Sequence, residues 1–347
     1  MARLPPNLLA RFAQALKSFE SSDATFRVLC SISSVAATSA TAAADSFLVE
    51  PLPRPPRYIL VLDSSFNPPT LAHHRMVLSA LSEERYKPKF PQDRGWSKGA
   101  HVREETSASS RVLLLLAINN ADKAPKPASF PHRLAMMYAF AQDILAASAE
   151  NQAVETRDQS LAGGSVACEA VDIAVTTEPY FHAKAQAIAA SDFYHGARES
   201  EQLQSSVGKE EAVASEQVYL AGYDTLIRIF NPKYYPNNSM KASLDPFFAH
   251  ARLRITMRTD DDWGNAAAQA AYLDELRAGK LDEVGGRVEW ADNIELVQGR
   301  KDDEAIISST KVRDAVRRQD WDALGGLVGE DVVSWIRENR LYVNDER

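Results

Sequence analysis

Two short segments of the chain carry side chains of the kinds that bind phosphate. Residues 63–74 read DSSFNPPTLAHH, which places hydroxyls, an amide and two histidines in one short stretch. Residues 307–313 read ISSTKVR, in which hydroxyl side chains precede an arginine by about one helical turn. Hydroxyls and free N–H groups at the start of a helix bind anions, and the forked guanidinium of arginine matches two phosphate oxygens. The two segments therefore predict a site for a phosphorylated ligand.

The first segment lies between a strand and a helix. Residues 58–62 form the continuous apolar run typical of a buried parallel strand, and the prolines and polar residues that follow prevent the strand from continuing. Apolar residues then return at helical spacing from Leu71 to Leu81. A strand-loop-helix unit of this kind brings free backbone N–H groups and the positive end of the helix to one point, where they can hold a phosphate.

Residues 64–73, SSFNPPTLAH, resemble the first signature of the nucleotidyltransferases whose best-known motif is H-x-G-H. The resemblance is in particular to the nicotinamide mononucleotide adenylyltransferases, whose pattern is G-S-F-N-P-x-T/H-x-x-H. Nine of the ten positions match, and the departure is Ser64 in place of glycine. Serine lacks the ready access of glycine to positive φ, but it keeps the backbone amide that would face a phosphate. The alternative is a strand-to-helix turn in an unrelated doubly wound domain.

The resemblance implies a role for several residues of this first segment. It implies that His73 contacts the phosphates and the charge that develops on them during the reaction. Thr70 and the backbone amides of Ser64, Ser65 and Phe66 would lie beside this histidine and bind the phosphates of ATP.

The second segment resembles the I-S-S-T-x-x-R motif of the same family without a substitution. The resemblance implies that Ser308, Ser309 and Thr310 bind phosphate at a helix start, and that Arg313 reaches back to the β and γ phosphates. The alternative is an ordinary helix cap followed by a surface arginine. The late position of the motif, after a series of strand-helix units, favours the functional interpretation.

Weaker matches follow the second and third predicted strands. In the family, the loop after the second strand, here VLLLLAI, supplies a lysine to the mononucleotide phosphate; Lys123 is the better-placed match and Lys126 a close competitor. After the third strand, Glu178, Tyr180 and Phe181 are candidates for contacts with the nucleoside. The alternative for this last group is a helix start with two aromatic residues in the core.

A fourth strand, at residues 218–221, is followed by Gly222 and Asp224, which resemble the G-x-D segment of the family. There the loop lies against the adenosine and ribose, so the resemblance implies that both residues bind ATP. Glycine permits a tight turn or the close approach of a ligand. Asp224 also suits a helix N-cap, and the two roles can coexist. Residues 231–238, with two tyrosines between prolines, are a candidate lid.

The order of these elements agrees with an α/β fold. The resemblance implies a doubly wound, mainly parallel sheet of five to six strands, the Rossmann-like nucleotidyltransferase fold, with ligands at the carboxyl ends of the strands. We expect the catalytic domain to span residues 57–347, with C-terminal helices and with loop insertions near residues 83–110, 146–165 and 192–216. Residues 1–56 are expected to form a helical extension and a connector rich in proline, alanine and serine.

Five later segments complete the predicted fold. Residues 253–257 predict a fifth strand, and residues 266–276 predict a helix. Residues 288–290 and 294–297 predict short strands near the edge of the sheet. The segment from residue 321 to residue 342 resembles the two closing helices of the family.

Composition argues against several classes of protein. The 347 residues carry a formal net charge of −8, so we expect neither a general nucleic-acid binder nor a protein of anionic membranes. Cys30 and Cys168 are far apart and lack metal-ligand spacing, so we expect no metal bound by side chains. No apolar run approaches the ~20 residues of a membrane-spanning helix.

The N-terminal segment raises the question of targeting. The first 19 residues contain basic residues, no acidic residue and one apolar helical face, as a mitochondrial presequence also would. Acidic residues and a further ordered stretch at residues 26–32 follow. We therefore expect a helix that docks its apolar face on the domain, in a cytoplasmic or nuclear protein rather than a mitochondrial one.

The resemblance also implies a reaction. The enzyme would transfer AMP from ATP to nicotinamide mononucleotide, or to nicotinate mononucleotide, giving the dinucleotide and pyrophosphate, with Mg²⁺ on the ATP oxygens. In-line attack by the mononucleotide phosphate needs no side-chain nucleophile, so positioning and charge neutralisation would carry the rate. The alternatives are another phosphate acceptor, or a derived ATPase or interaction protein without dinucleotide synthesis. The N-terminal extension and the insertions resemble the divergent fungal-type branch of the family.

Overall fold

One sheet organises the part of the chain that the structure describes. The computed structural model describes residues 4–33, 46–82, 110–119, 128–157, 168–195, 215–235, 240–258, 263–299 and 304–343. Its strands are β1 (Phe26–Ser33), β2 (Tyr58–Asp63), β3 (Ser110–Ala117), β4 (Cys168–Thr176), β5 (Glu216–Gly222), β6 (Ala251–Met257) and β7 (Ile294–Gln298). They form a 7-stranded sheet in the order β1-β4-β3-β2-β5-β6-β7.

Apart from its first strand, the sheet is parallel. All neighbouring pairs from β4 to β7 are parallel, whereas β1 runs antiparallel to β4. Counted from β2, the spatial order is 3-2-1-4-5-6, which is the Rossmann order. The direction of winding reverses between β2 and β5, so the carboxyl ends of these two strands mark the crevice in which such sheets bind ligands. The predicted doubly wound, mainly parallel sheet is confirmed.

Helices cover both faces of this sheet. They are α1 (Leu8–Glu20), α2 (Leu71–Ser82), α3 (Phe130–Arg157), α4 (Phe181–Ala189), α5 (Asp192–His195), α6 (Tyr223–Ile229), α7 (Lys241–His250), α8 (Ala266–Arg277), α9 (Ser309–Arg317), α10 (Trp321–Leu324) and α11 (Glu330–Glu338). Successive residues of β2 point to opposite faces, as the period of a strand requires. Leu60 and Leu62 join a core with α1, α2 and α3, whereas Ile59 and Val61 join a core with α4 to α8.

The N-terminal segment adds a strand that the sequence-based count did not include. The predicted count of five to six strands was too low, because β1 extends the sheet at the outer edge of β4. The expected docking helix is present as α1, and its buried residues are Leu8, Phe12, Leu16 and Phe19. These side chains belong to the same core as the buried residues of α3. The residues ahead of the predicted boundary at residue 57 therefore contribute to the same sheet and core.

Two predicted local structures were wrong. Residues 146–157, expected to be the start of a loop insertion, continue α3 as a helix to Arg157. The predicted short strand at residues 288–290 is part of the 3-10 helix Val288–Asn293. Here the side chain of Trp290 is buried among stacked aromatic rings and its indole N–H donates to Asp245, so tertiary packing decided the backbone conformation. The rest of the three predicted insertions lies mostly outside the described residues.

The described residues also bear on the predictions about membrane-spanning helices and about the two cysteines. No helix among them is long and apolar enough to span a bilayer. Cys30 and Cys168 are free and buried, and burial raises the pKa of both thiols to about 12. Thiols of this kind pack as small apolar groups and are unreactive.

A buried polar network fastens β1 to the parallel sheet. Arg111 on β3 donates to both carboxylate oxygens of Asp172 on β4, at 2.9 Å and 2.6 Å. Ser31 on β1 donates to the same carboxylate at 2.8 Å, and the hydroxyl of Tyr194 donates to it at 3.0 Å. The carboxylate of Asp172 is fully buried, so these donors supply the partners that burial makes necessary.

Replacing Arg111 by methionine is expected to lower the free energy of unfolding by about 3 kcal/mol or more, because the buried Asp172 carboxylate would lose its cation. The control is Arg287→Met, which removes an exposed ion pair with Asp245 and should cost less than about 1 kcal/mol. Urea titrations of both variants measure the difference. Equal losses in the two variants would show that the network does not stabilise the sheet in this way.

Candidate functional site

The loop after β2 is held by residues that come late in the chain. Arg313 Nη1 donates to the backbone oxygen of Asn67 at 2.7 Å. Ser309 Oγ donates to the backbone oxygen of Pro68, also at 2.7 Å. The two segments that the sequence marked separately, residues 64–73 and 307–313, are therefore in direct contact at the carboxyl end of β2.

The side chain of Asn67 fixes the same loop from a second direction. Its Oδ1 accepts a hydrogen bond from the backbone N–H of Ala128 at 2.8 Å and another from the hydroxyl of Tyr342 at 2.9 Å. Asn67 and Tyr342 are both buried. Asn67 thus joins β2, the approach to α3 and the segment after α11 at one point. Sequence reasoning gave Tyr342 no role, because nothing local links it to a loop 275 residues earlier.

The second segment begins α9, as predicted. Ser308 is the N-cap residue, and its side chain accepts a hydrogen bond from the backbone N–H of Lys311 at 3.3 Å. Arg313 Nη2 donates to Thr310 Oγ1 at 3.2 Å. A guanidinium has five N–H donors, and among the described residues no carboxylate pairs with Arg313. The remaining donors are available to an anion at the start of this helix.

A second arginine, which sequence reasoning did not assign to the site, contacts the loop from α3. Arg133 Nη1 donates to the backbone oxygen of Ser65 at 3.4 Å, and its Nε donates to Ala128 at 2.7 Å. Burial, together with the nearby positive charge of Arg313, lowers the pKa of Arg133. Two guanidinium groups close enough to repel each other would be stabilised by an anion near them.

His73 lies in the first turn of α2 with both ring nitrogens engaged. The backbone N–H of Thr70 donates to Nδ1 at 3.0 Å, and Thr70 Oγ1 lies 2.8 Å from the same nitrogen. Ser64 Oγ lies 3.0 Å from Nε2. A backbone N–H can only donate, so Nδ1 is an acceptor and the proton of the neutral ring is on Nε2. Burial lowers the pKa of this imidazole to about 4, so the neutral ring is the form present near pH 7.

The backbone conformation at position 64 does not require the glycine of the family pattern. Ser64 is not among the residues with positive φ, so its side chain causes no backbone strain. Its N–H donates to the backbone oxygen of Leu115 at 3.3 Å, which takes that amide away from a ligand. The residue with positive φ is Phe66, at 43°, and its ring is fully buried against His73 and Phe140. Ser65 is exposed.

The end of β5 lies beside this loop. β2 and β5 pair in parallel up to Val61 and Tyr219, and continuing that register puts Gly222 level with Ser64. Gly222 is the N-cap residue of α6, so the alternative role of Asp224 as the cap was wrong. A Cβ on Gly222 would lie 2.8 Å from Asp224 Oδ1, so glycine leaves room for this carboxylate.

Asp224 has a charged neighbour. Arg258, just after β6, places Nη1 at 3.5 Å from Asp224 Oδ1, and both side chains remain partly accessible. The pair lies at the carboxyl ends of β5 and β6, on the side of the crevice away from β3 and β4. Gly222 and Asp224 therefore lie where the sequence predicted an ATP contact, and that contact itself stays a prediction.

An aromatic group follows β4. The rings of Tyr180 and His182 stack with centroids 5.7 Å apart and an angle of 6°, and Tyr234 lies 6.4 Å from Tyr180. Tyr180 remains 38% exposed, and Glu178 is half-buried beside it. The structure thus brings the predicted nucleoside segment together with the described part of the candidate lid. Lys123, expected to hold the mononucleotide phosphate, and its competitor Lys126 lie outside the described residues.

One ion pair near the loop had no signal in the sequence. Lys184 Nζ lies 2.5 Å from the carboxylate oxygen Oδ2 of Asp63, the last residue of β2, and both side chains are almost completely buried. Lys184 follows Tyr180 by one turn of α4, so this pair positions the aromatic group relative to the loop at Ser64. A buried lysine near a paired carboxylate 121 residues away cannot be recognised from local spacing.

Comparison with known proteins agrees with the resemblance read from the motifs. No family model matches the chain. A Schizosaccharomyces pombe protein named "Putative nicotinamide mononucleotide adenylyltransferase" is 28% identical over 298 residues, which covers 86% of this chain and 91% of that protein. The match confirms the resemblance to this family that the motifs indicated.

Solved structures give only weak matches. The Plasmodium falciparum nicotinic acid mononucleotide adenylyltransferase complexed with NaAD matches with a TM-score of 0.36 and 12% identity, over 82% of this chain and 97% of that one. A structure described as a "Putative Nicotinate-nucleotide Adenylyltransferase" from Vibrio parahaemolyticus matches with a TM-score of 0.29 and 12% identity, over 83% and 96%.

The state of His73 can be tested directly. Nitrogen-15 NMR of the imidazole is expected to show a neutral ring with its proton on Nε2 at pH 7, and protonation only as the pH falls toward 4. Because the folded pKa lies below the ordinary value of 6.5, this histidine stabilises the fold above pH 6.5, and that contribution is lost as the pH falls toward 4. A ring that titrates near 6.5, or one protonated at Nδ1, would contradict the hydrogen-bond pattern.

Proposed function

We propose that this protein transfers AMP from ATP to a pyridine mononucleotide, forming a dinucleotide and pyrophosphate. The observation that carries the proposal is the contact of residues 64–73 with residues 307–313 at the reversal point of the sheet. There, side chains of the kinds that bind phosphate come together from two distant segments. The similarity to the S. pombe relative over most of both chains supports the same activity.

The groups at this crevice fit a triphosphate. Arg313 has free donors at the start of α9, with the hydroxyls of Ser308 and Thr310 beside it, so this wall would take the β and γ phosphates. Ser309 is expected to act mainly through the loop, since its hydroxyl proton is donated to Pro68. Arg133 adds positive charge from the side of α3. Asp224 and Gly222, at the end of β5, would take the ribose and adenine of ATP.

The chemical step needs orientation rather than a protein nucleophile. An oxygen of the mononucleotide phosphate attacks the α-phosphorus of ATP, a new P–O bond forms, and the bond from the α-phosphorus to the bridging oxygen breaks. The electron pair of that bond leaves with pyrophosphate, which carries the growing negative charge. Preorganised donors such as Arg313 stabilise this charge more strongly in the transition state than in the ground state.

Mg²⁺ is expected to enter with ATP as part of the substrate. It would supply charge neutralisation on the phosphate oxygens and would keep most of its waters. Within the described residues no group of three or more histidine, cysteine, aspartate or glutamate side chains could hold a metal ion. Among the described residues, Asp63 and Asp224 at the ends of β2 and β5 are paired with Lys184 and Arg258, so we expect the nucleotide to hold the ion.

The acceptor would bind on the side of β4. The exposed ring of Tyr180, backed by His182 and Tyr234, offers a flat surface on which a pyridine ring can stack. Glu178 lies next to it and would contact the nucleoside, and Lys123 would hold the mononucleotide phosphate. We propose nicotinamide mononucleotide as the acceptor, with nicotinate mononucleotide as the alternative, since a half-buried carboxylate at Glu178 disfavours a second carboxylate nearby.

The proposal predicts dinucleotide synthesis by the purified protein. Incubation with Mg·ATP and nicotinamide mononucleotide should give NAD and pyrophosphate in equal amounts, and a parallel reaction with nicotinate mononucleotide should give less of the deamido product. Chromatography of the nucleotides and a pyrophosphate assay measure both products. Release of inorganic phosphate from ATP without a dinucleotide would instead favour the ATPase alternative, and no turnover of ATP would favour an interaction protein.

His73→Ala is expected to lower kcat of this synthesis by ~100-fold or more, because it removes a preorganised group at the start of α2. The fold should survive, since the neighbouring rings of Phe66 and Phe140 remain packed against each other. Steady-state kinetics and thermal unfolding measure the two effects. Normal turnover in this variant would refute the proposed part of His73 in the reaction.

A further inference from the structure

Ser64 stands where the family pattern has glycine. Its side chain lies on the side of His73 from which the imidazole would otherwise contact a ligand. Ser64 Oγ is 3.0 Å from His73 Nε2, so the hydroxyl occupies the direction in which the ring would donate. Nδ1 is already taken by the N–H and hydroxyl of Thr70. The neutral imidazole therefore has no donor left for a ligand unless the Ser64 hydroxyl moves away.

The hydroxyl of Ser64, in contrast, has a proton to give. Because Nε2 carries the ring proton and donates it to Ser64 Oγ, the hydroxyl cannot donate back to the ring and must direct its own O–H elsewhere. Among the described residues it has no acceptor for that proton. The backbone beneath it is fixed, since the N–H of Ser64 donates to Leu115 in the sheet.

We infer that the Ser64 hydroxyl, held by His73, is the side-chain group that donates to a phosphate oxygen of the bound nucleotide. The inference rests on the proposed function for the nature of the ligand. In this arrangement Ser64 is a catalytic residue and His73 is a positioning residue that acts through it. A hydroxyl that accepts from one neighbour is a stronger donor to the next, and an anionic oxygen is the acceptor with which such a bond is strongest.

The surroundings of Ser64 favour an anion as that acceptor. Asp63, the acidic side chain next to it in sequence, is neutralised by Lys184. Arg313 and Arg133 bind the carbonyl groups of Asn67 and Ser65 in the same loop, so two positive charges lie within a few residues of the hydroxyl. A phosphate that binds these arginines would have oxygens in reach of this part of the loop.

Replacing Ser64 by alanine or by glycine separates the role of its hydroxyl from the role of His73. Ser64→Ala removes the donor but leaves a methyl group beside Nε2, whereas Ser64→Gly removes the side chain and opens the space to the ligand. If the inference holds, the glycine variant should regain a direct contact between His73 and the phosphate. The alanine variant should not.

The experiment compares Ser64→Ala, Ser64→Gly, His73→Ala and both double variants, with Ser82→Ala at the exposed end of α2 as the matched control. We expect Ser64→Ala to lower kcat by about 10- to 100-fold with little change in KM for the mononucleotide. The Ser64→Ala/His73→Ala double variant should be no more than about 3-fold worse than His73→Ala, since residues that act as a unit are not additive. Ser64→Gly should stay within about 5-fold of the wild type and should still lose most of its activity when His73→Ala is added.

Two outcomes would overturn the inference. One is a Ser64→Ala variant within about 2-fold of the wild type while His73→Ala loses ~100-fold, which would mean that the imidazole contacts the phosphate itself. The other is multiplication of the two single effects in the double variant. Thermal unfolding of each variant identifies any that lose the fold, and binding of Mg·ATP by calorimetry gives a second measure. If the wild type makes no dinucleotide, the proposed function fails. Binding of Mg·ATP still tests the inference in that case, because it predicts weaker binding by Ser64→Ala and unchanged binding by Ser82→Ala.

Discussion

The hydrogen bond from Arg313 to the backbone oxygen of Asn67 is the contact on which the candidate site depends. The loop after β2 has no regular structure, so its carbonyl groups need donors from elsewhere. Arg313 and Ser309 supply two of them from α9, and Tyr342 and Ala128 donate to the side-chain oxygen of Asn67. The shape of the loop is therefore set by residues that it meets only in the folded chain.

The same contacts explain how one arginine can serve both structure and chemistry. Arg313 donates one hydrogen bond to Asn67 and one to Thr310, and these two bonds fix the plane of the guanidinium. A fixed plane presents its other donors in a constant direction, and orientation made before the substrate arrives costs nothing during the reaction. Ser64 and His73 are arranged in a similar way, because their hydrogen bond holds both side chains while the Ser64 hydroxyl proton remains for a ligand.

The sequence revealed the parts of this fold whose signals are local. Apolar runs and helical spacing predicted the parallel strands and α9, and the motifs predicted that Ser308 starts a helix. It could not predict β1 at the edge of β4, or the pair of Lys184 with Asp63, because both depend on partners more than 100 residues away. The chemistry of Ser64 was hidden for a different reason, because its partner His73 is only nine residues away but the residue type gives no direction for the hydroxyl. Distance along the chain limited the prediction at β1 and at the pair of Lys184 with Asp63.

The bond between Tyr342 and Asn67 has a consequence for how the protein is made. The two residues are 275 positions apart, and every strand of the described sheet lies at or before Gln298. During synthesis, all strands of the described sheet are therefore made before α9 and Tyr342, which donate to the loop after β2. The candidate site would gain its final shape only when these late residues have joined the fold.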